Sequence, residues 1–176
     1  MTHSLHRQGT VTNLANDCCV MCILERGINS KDANVKAQRF LDIVLKYGPS
    51  NYGVTTHGNM YTHDLETLRK ALDTVPVLFC VLASQEALEG VLRETKEQDF
   101  GLCIVVAGLY EPVAETCKKI GLDPHPVNHS LGVWGRTEKL PPKEILEIRT
   151  MCGHAQISSW LVGSLAEQVR KGSISA

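Results

Sequence analysis

The strongest chemical motif in the sequence is a cysteine and a histidine two positions apart, Cys152-Gly153-His154, just before a segment of helical period. A cysteine at a helix amino terminus faces unpaired amide donors and the positive end of the helix dipole, which stabilise the thiolate. The thiolate is the form that attacks electrophiles and binds metals. Cys152 and His154 are therefore the predicted catalytic residues. The alternative is that Gly153 ends a helix and both side chains only pack at the junction.

His129 extends this motif to a candidate metal site. Together, His129, Cys152 and His154 would supply nitrogen and sulfur ligands, which suit zinc or iron and leave a position open for substrate. Long segments separate the three residues in the sequence, so the site depends on the fold. The alternative for His129 is a solvated loop histidine.

A glycine-rich turn around Trp134 is the third candidate. Its glycines would let backbone amides approach a ligand, its indole offers an apolar face, and its arginine can hold a carboxylate or phosphate with two hydrogen bonds. The corresponding turn in the first half contains a histidine near a strand end, where α/β sheets usually bind ligands. We therefore predict a small anionic ligand bound by His57, Gly132, Trp134, Gly135 and Arg136. The alternative is that the glycines of these turns only mark the ends of a hairpin or an edge strand that covers the core.

The remaining cysteines are predicted to be small apolar residues. Cys18, Cys19 and Cys22 lie in a predicted strand, where successive side chains point to opposite faces, and no second C-x-x-C completes a four-thiolate site. Cys80 and Cys103 lie within apolar runs, where cysteine behaves as a small hydrophobic residue.

Charge and composition argue against two classes of partner. Eighteen Lys and Arg stand against nineteen Asp and Glu, a net charge of −1, so no overall field attracts nucleic acid or an anionic membrane. The apolar runs have strand length, well short of the roughly 20 residues of a membrane helix. Residues 1–11 lack the apolar stretch of a secretory signal. We therefore predict a cytoplasmic protein with reduced thiols that binds neither nucleic acid nor membrane.

Apolar blocks of strand length alternate with segments of helical period, which predicts an α/β fold. The expected architecture is a single domain over residues 1–176, with a mixed or parallel sheet of about five strands covered by helices. A ferredoxin-like double βαβ sandwich is the alternative. The predicted strands are 18–24, 52–56, 77–83, 102–107 and 127–134. Asp64 and Ser84 are predicted helix caps, and Gly48 and Gly121 are predicted helix ends.

A weak internal similarity divides the chain into halves of about 10–75 and 76–150, followed by a C-terminal helix at 155–172. In each half a histidine, His57 or His129, closes the second strand of a strand-helix-strand unit. If the halves are a duplication, the two histidines lie at the same edge of the sheet. Unrelated βαβ units are the alternative.

Several large apolar side chains fall in predicted turns, where a monomer would leave them in water. We therefore predict a homo-oligomer, either a dimer or a ring. These residues are Met60, Tyr61, Tyr110 and Trp134, and the final helix adds Trp160, Leu161 and Leu165.

Two function classes follow from the sequence. One is an α/β protein that binds a small anion or a metal near Cys152 and His154, with thiol- or metal-assisted chemistry. The other is a non-catalytic accessory or assembly protein whose histidine and glycine turns form a subunit interface. No known catalytic signature is complete, so the sequence predicts no particular reaction.

Overall fold

The computed structural model describes residues 6–24, 27–74, 77–124, 126–151 and 155–175. The chain divides into two units. The sheet unit is Leu14–Pro124, and the terminal unit combines residues 1–13 with residues 125–176. No helix in the described part of the chain is both long and apolar enough to cross a membrane.

The sheet unit alternates strands with helices, as the sequence pattern predicts. After the short helix α1 (Val11–Leu14), its elements are β1 (Cys18–Ile23), α2 (Ala33–Lys46), β2 (Asn51–Val54), β3 (Gly58–Asn59), α3 (Leu65–Leu72), β4 (Leu78–Leu82), α4 (Gln85–Gln98), β5 (Cys103–Ala107) and α5 (Tyr110–Ile120). The terminal unit contains a 3-10 helix (Thr137–Lys139), α6 (Lys143–Arg149) and α7 (Ser159–Arg170).

The five strands form an antiparallel sheet in the order β3-β2-β4-β1-β5. β1 and β2, which α2 connects, run in the same direction, but β4 lies between them. β4 and β5, which α4 connects, are likewise separated by β1. These interleaved crossovers have the strand order and directions of the ferredoxin-like alternative. The predicted mixed or parallel sheet is wrong: every strand pair is antiparallel, because strands joined by a helix share a direction here without being neighbours.

The predicted repeat is also wrong. Residues 127–134, the predicted fifth strand, join no strand ladder in the described structure. Gly132 and Gly135 have φ of +90° and +87°, values that interrupt an extended strand. His129 therefore lies at the end of no described strand. For this reason His57 and His129 do not occupy equivalent positions of a repeat.

One face of the sheet carries the core. Burial alternates along β1 and β4, where buried side chains alternate with half-buried ones. The buried face packs against the apolar stripes of α2, α3 and α4, as expected for helices covering one side of an antiparallel sheet. The core residues with no exposure include Val20, Cys22, Phe40, Leu41, Val44, Leu72, Leu78, Cys80, Leu82, Leu88 and Val91.

Candidate functional site

Part of the predicted site lies outside the described residues. Cys152, Gly153 and His154 belong to that part, so their predicted catalytic and metal-binding roles stay predictions. His129, the third predicted metal ligand, is exposed in the terminal unit. Within the described ranges, no three His, Cys, Asp or Glu side chains come together where they could hold a metal ion.

The predicted ligand-binding turn is an exposed loop whose hydrogen bonds are local. The Gly132 amide donates to Ser130 Oγ at 3.3 Å, and the Trp134 indole Nε1 donates to the Leu131 carbonyl at 3.0 Å. A Cβ at Gly132 or Gly135 would meet no atom within 4 Å. Trp134 is 81% exposed, and Arg136 precedes the 3-10 helix. The loop therefore presents its indole and its backbone to solvent.

His57 lies in the sheet unit, in the turn between β2 and β3. Its amide donates to the Val54 carbonyl at 3.0 Å, while its Nδ1 lies 3.5 Å from the Thr55 carbonyl. That second distance is at the limit for a hydrogen bond. His57 thus lies in a turn near the end of β2, close to the predicted position, but it belongs to a different unit from the other predicted ligand-binding residues.

The buried cysteines are unsuited to thiolate chemistry. Desolvation by burial, with Cys103 nearby, raises the pKa of Cys22 to about 12. Burial also raises the pKa of Cys80 and Cys117. A buried thiol that stays protonated neither attacks nor binds a metal readily. This confirms the prediction that Cys22 and Cys80 serve as small apolar residues.

Two surface cavities of the sheet unit, of about 200 and 330 Å³, share Asp99 and Phe100 in their linings. The first lies around Lys96. The Lys96 ammonium already donates to the carbonyls of Ile120 and Gly121, at 2.7 and 2.9 Å, and so caps the end of α5. Neither cavity is lined by a predicted site residue.

The terminal unit has a small core and many exposed apolar side chains. Its buried apolar side chains within the described residues are Leu146 and Val162. Exposed apolar patches of this kind commonly mark interaction sites. The exposed large apolar residues after residue 125 are Val127, Leu131, Val133, Trp134, Leu140, Ile148, Met151, Ile157, Trp160, Leu161, Leu165 and Ile174.

The clearest concentration of these residues is on α7. Helical spacing places Trp160, Leu161, Ser164, Leu165 and Gln168 on one side of the helix, which we call the α7 face. Val162 lies on the opposite side and is buried. Trp160 is 79% exposed, and Leu161 and Leu165 are each 42% exposed. Ser164 and Gln168 are half-buried, so the accessible part of the α7 face consists of these three apolar side chains.

Charge on this side of α7 is confined to its C-terminal end. Residues 159–166 contain no Asp, Glu, Lys or Arg. Glu167 lies two helical turns after Trp160, at the border of the α7 face, and pairs with Arg170 at 2.8 Å and with Lys171 at 3.3 Å. A helix side turned to water normally carries charged residues, so the α7 face has the composition of a surface that is covered in use.

Hydrogen bonds hold α7 and α6 in place. The Ser158 hydroxyl accepts from the Leu161 amide at 3.1 Å and caps the start of α7. Arg149 Nε, at the end of α6, donates to the Ile157 carbonyl at 2.9 Å. The Thr150 hydroxyl donates to the Leu146 carbonyl at 2.6 Å and accepts from the Gln8 amide at 2.9 Å. The α7 face is thus displayed on a fixed helix pair.

The sequence predicts Trp160, Leu161 and Leu165 as interface residues but predicts the functional site at Cys152 and His154. The missed signal is the absence of charge over residues 159–166 in a helix whose apolar residues are too numerous for one buried stripe. Such a pattern predicts a helix covered on two sides.

Comparison with known proteins gives no family for this chain. No family model matches it, and neither the search of curated proteins nor the search of solved structures finds a match.

Proposed function

We propose that this protein is an assembly protein that works as a homo-oligomer, with the α7 face as its subunit interface. The observation that carries the proposal is a helix face with Trp160, Leu161 and Leu165 exposed and no charged residue over residues 159–166, in a unit whose described core is small. Covering Leu161 and Leu165 would remove apolar surface from water, at roughly 25 cal/mol per Å². The proposal develops the assembly alternative of the sequence analysis.

The occupant that we propose for the α7 face is the same face of a second copy. In a twofold contact each residue faces its own counterpart or a near neighbour, so any charge on the face would oppose a like charge. Residues 159–166 carry no charge, and Glu167, at the border of the face, is already paired with Arg170 and Lys171. A nucleic acid or anionic membrane would instead require unpaired basic residues on the face.

Substituting Leu165→Glu tests this proposal. A twofold interface would then bury two carboxylates, so we expect the dimer dissociation constant to rise by about 100-fold or more, since each buried leucine contributes about 2 kcal/mol. Light scattering over a concentration series measures the change. Val35→Glu is the matched control, because Val35 is 46% exposed on a helix of the sheet unit and its substitution leaves the α7 face intact.

Two results would overturn the proposal. One is wild-type protein that keeps the mass of a single 19.4 kDa chain at all concentrations. The other is Leu165→Glu protein that assembles as the wild type does. Circular dichroism of both variants establishes that a lower mass does not reflect unfolding.

The second candidate function is binding of a small anion or a metal near Cys152 and His154. The observation in its favour is the exposed 129–136 loop, where Trp134 and the open backbone at Gly132 and Gly135 are accessible to a ligand. Trp134→Glu separates the two candidates. It lowers ligand affinity without changing assembly if the loop is a pocket, and it weakens assembly if the loop extends the interface. In either case we propose the cytoplasm, where thiols stay reduced, as the compartment.

A further inference from the structure

The second surface with an identifiable partner chemistry is the free edge of β5. Among the described residues, β5 ends the sheet and pairs with β1 alone. No backbone hydrogen bond given for the described residues reaches Cys103–Ala107 from another segment. Every second residue of such a strand directs its N–H and C=O groups away from the sheet, and these groups match another strand.

The β5 edge lacks the features that usually prevent strands from pairing. Edge strands are commonly protected by lysine, proline, a bulge or short length. Residues 101–108 read Gly-Leu-Cys-Ile-Val-Val-Ala-Gly, with neither charge nor proline. The sequence is also rich in β-branched residues, which favour strand pairing.

The opposite edge of the sheet is protected. β3 has only two residues, and beyond it the Met60 amide donates to the Tyr52 carbonyl at 2.9 Å. The Tyr61 hydroxyl donates to the Ser50 carbonyl at 2.7 Å. Short length and satisfied carbonyls leave this edge little capacity for pairing, so the sheet has one long open edge.

We propose that β5 pairs with β5 of a second copy, antiparallel and across a twofold axis near Val105, to form one sheet continuous over two chains. Identical antiparallel strands are compatible with a twofold contact, and an uncharged strand brings no like charges together. Because each chain offers one open edge, this pairing stops at two copies. The contact is separate from the α7 face and does not depend on the proposed function.

Hydrogen exchange of the β5 backbone amides tests the pairing directly. The amides of residues 103–107 that face β1 are protected in any folded chain. Those on the outer edge are protected only when a second strand covers them. In the wild type we expect the outer amides to exchange at least tenfold faster after dilution to a concentration at which the pairs dissociate. Exchange of those amides that is independent of concentration would overturn the proposal.

Val105→Lys provides the matching variant, with Val105→Thr as its control. Val105 pairs with Met21, whereas its neighbours Ile104 and Val106 pack against the core, so residue 105 lies on the other face of the sheet. Lysine there brings two ammonium groups together across the axis. We expect fast outer-edge exchange at every concentration for Val105→Lys, and wild-type behaviour for the uncharged, β-branched threonine. Equal protection in both variants would contradict the pairing.

Combining this measurement with Leu165→Glu separates the two interfaces. Concentration-dependent β5 exchange that persists in Leu165→Glu supports β5 pairing whatever the outcome for the α7 face. A Leu165→Glu protein of lower mass, together with β5 exchange that never depends on concentration in the wild type, supports the α7 face and overturns β5 pairing. If Val105→Lys fails to fold, the wild-type dilution series still decides the question.

Discussion

Gly90 shows how a single absent side chain determines the packing of two helices. A Cβ at Gly90 in α4 would overlap the ring of Tyr47, which follows α2. The ring is held in place because its hydroxyl donates to Glu94 Oε1 at 2.7 Å, and Lys46 donates to the same carboxylate at 2.6 Å. The hydrogen bond to Glu94 also raises the pKa of Tyr47.

We therefore expect Gly90→Ala to lower the free energy of unfolding by about 1–3 kcal/mol, the usual cost of overpacking. Gly163→Ala in α7 is the matched control, because its Cβ would lie 3.9 Å from Ile145 Cδ1, an ordinary contact. There the higher helix propensity of alanine should raise stability by roughly 0.5–1 kcal/mol. Urea denaturation measures both. Equal effects at the two sites would contradict the packing described for Tyr47.

The buried thiols make stability depend on alkaline pH. Because burial raises the pKa of Cys22 and Cys80, both stay protonated in the folded chain at pH values where the unfolded thiols ionise. Their contribution to stability is complete below the unfolded pKa of about 8.5. It is lost as the pH rises toward the folded value, which for Cys22 is about 12.

Above pH 8.5 each such thiol should lower the free energy of unfolding by about 1.4 kcal/mol per pH unit. Cys80→Ala removes one of them, so the stability difference between wild type and variant should narrow by that amount per pH unit. Urea denaturation in reductant between pH 8 and pH 10.5 measures it. A difference that stays constant would show that Cys80 ionises in the folded chain as it does in the unfolded one.

The helix caps illustrate what local sequence predicts well. The Ser84 hydroxyl accepts from the Ala87 amide at 3.1 Å, and the Asp64 carboxylate accepts from the Thr67 amide at 2.7 Å. That bond lowers the pKa of Asp64. Both caps, and the helix ends near Gly48 and at Gly121, agree with the sequence predictions, because capping involves residues within a few positions of each other.

Ser84→Ala should lower the free energy of unfolding by about 1 kcal/mol, because the Ala87 amide at the start of α4 loses its acceptor. Ser84→Asp keeps an acceptor at the same position and should retain most of the stability. Thermal denaturation of the two variants makes the comparison. If both variants have the melting temperature of the wild type, the Ser84 hydroxyl contributes nothing to the stability of α4.

Strand partners were harder to predict than strand positions. Four of the predicted strands form, but β1 also carries Cys19, Met21 and Ile23 on its half-buried face. An apolar residue on both faces imitates the continuous apolar run of a buried parallel strand. The alternation of apolar and polar residues that indicates an antiparallel sheet buried on one face is therefore absent from β1. For this reason the local sequence did not predict which strands pair with β1.

At the scale of the whole molecule, the candidate site depended on contacts that no short motif contains. Trp134, Trp160 and Leu161 are exposed because the small described core of the terminal unit buries few of its apolar side chains. The sequence predicts an interface at these residues, and their exposure leaves that interface a prediction. The metal and anion predictions rested on residues brought together only by the fold, and their central pair lies outside the described residues.

Metal analysis of the intact protein tests that remaining prediction. If His129, Cys152 and His154 form a site, protein prepared without a His-tag and with air excluded should contain about one zinc or iron per chain. Cys152→Ala and His129→Ala should lose the metal, whereas His57→Ala, in the sheet unit, should keep it. If the wild-type protein contains no stoichiometric metal, the metal site is contradicted and only anion binding remains as the second candidate function.

The central position of β1 also has a consequence for synthesis on the ribosome. β1 is made before both of its partners, β4 and β5, with Cys18 opposite Leu82 and Ile23 opposite Cys103. At roughly 5–20 residues per second, the nascent chain exposes an apolar, thiol-rich strand with both edges unpaired for several seconds. Chaperone binding to nascent chains that end before residue 103 should therefore concentrate on residues 18–23.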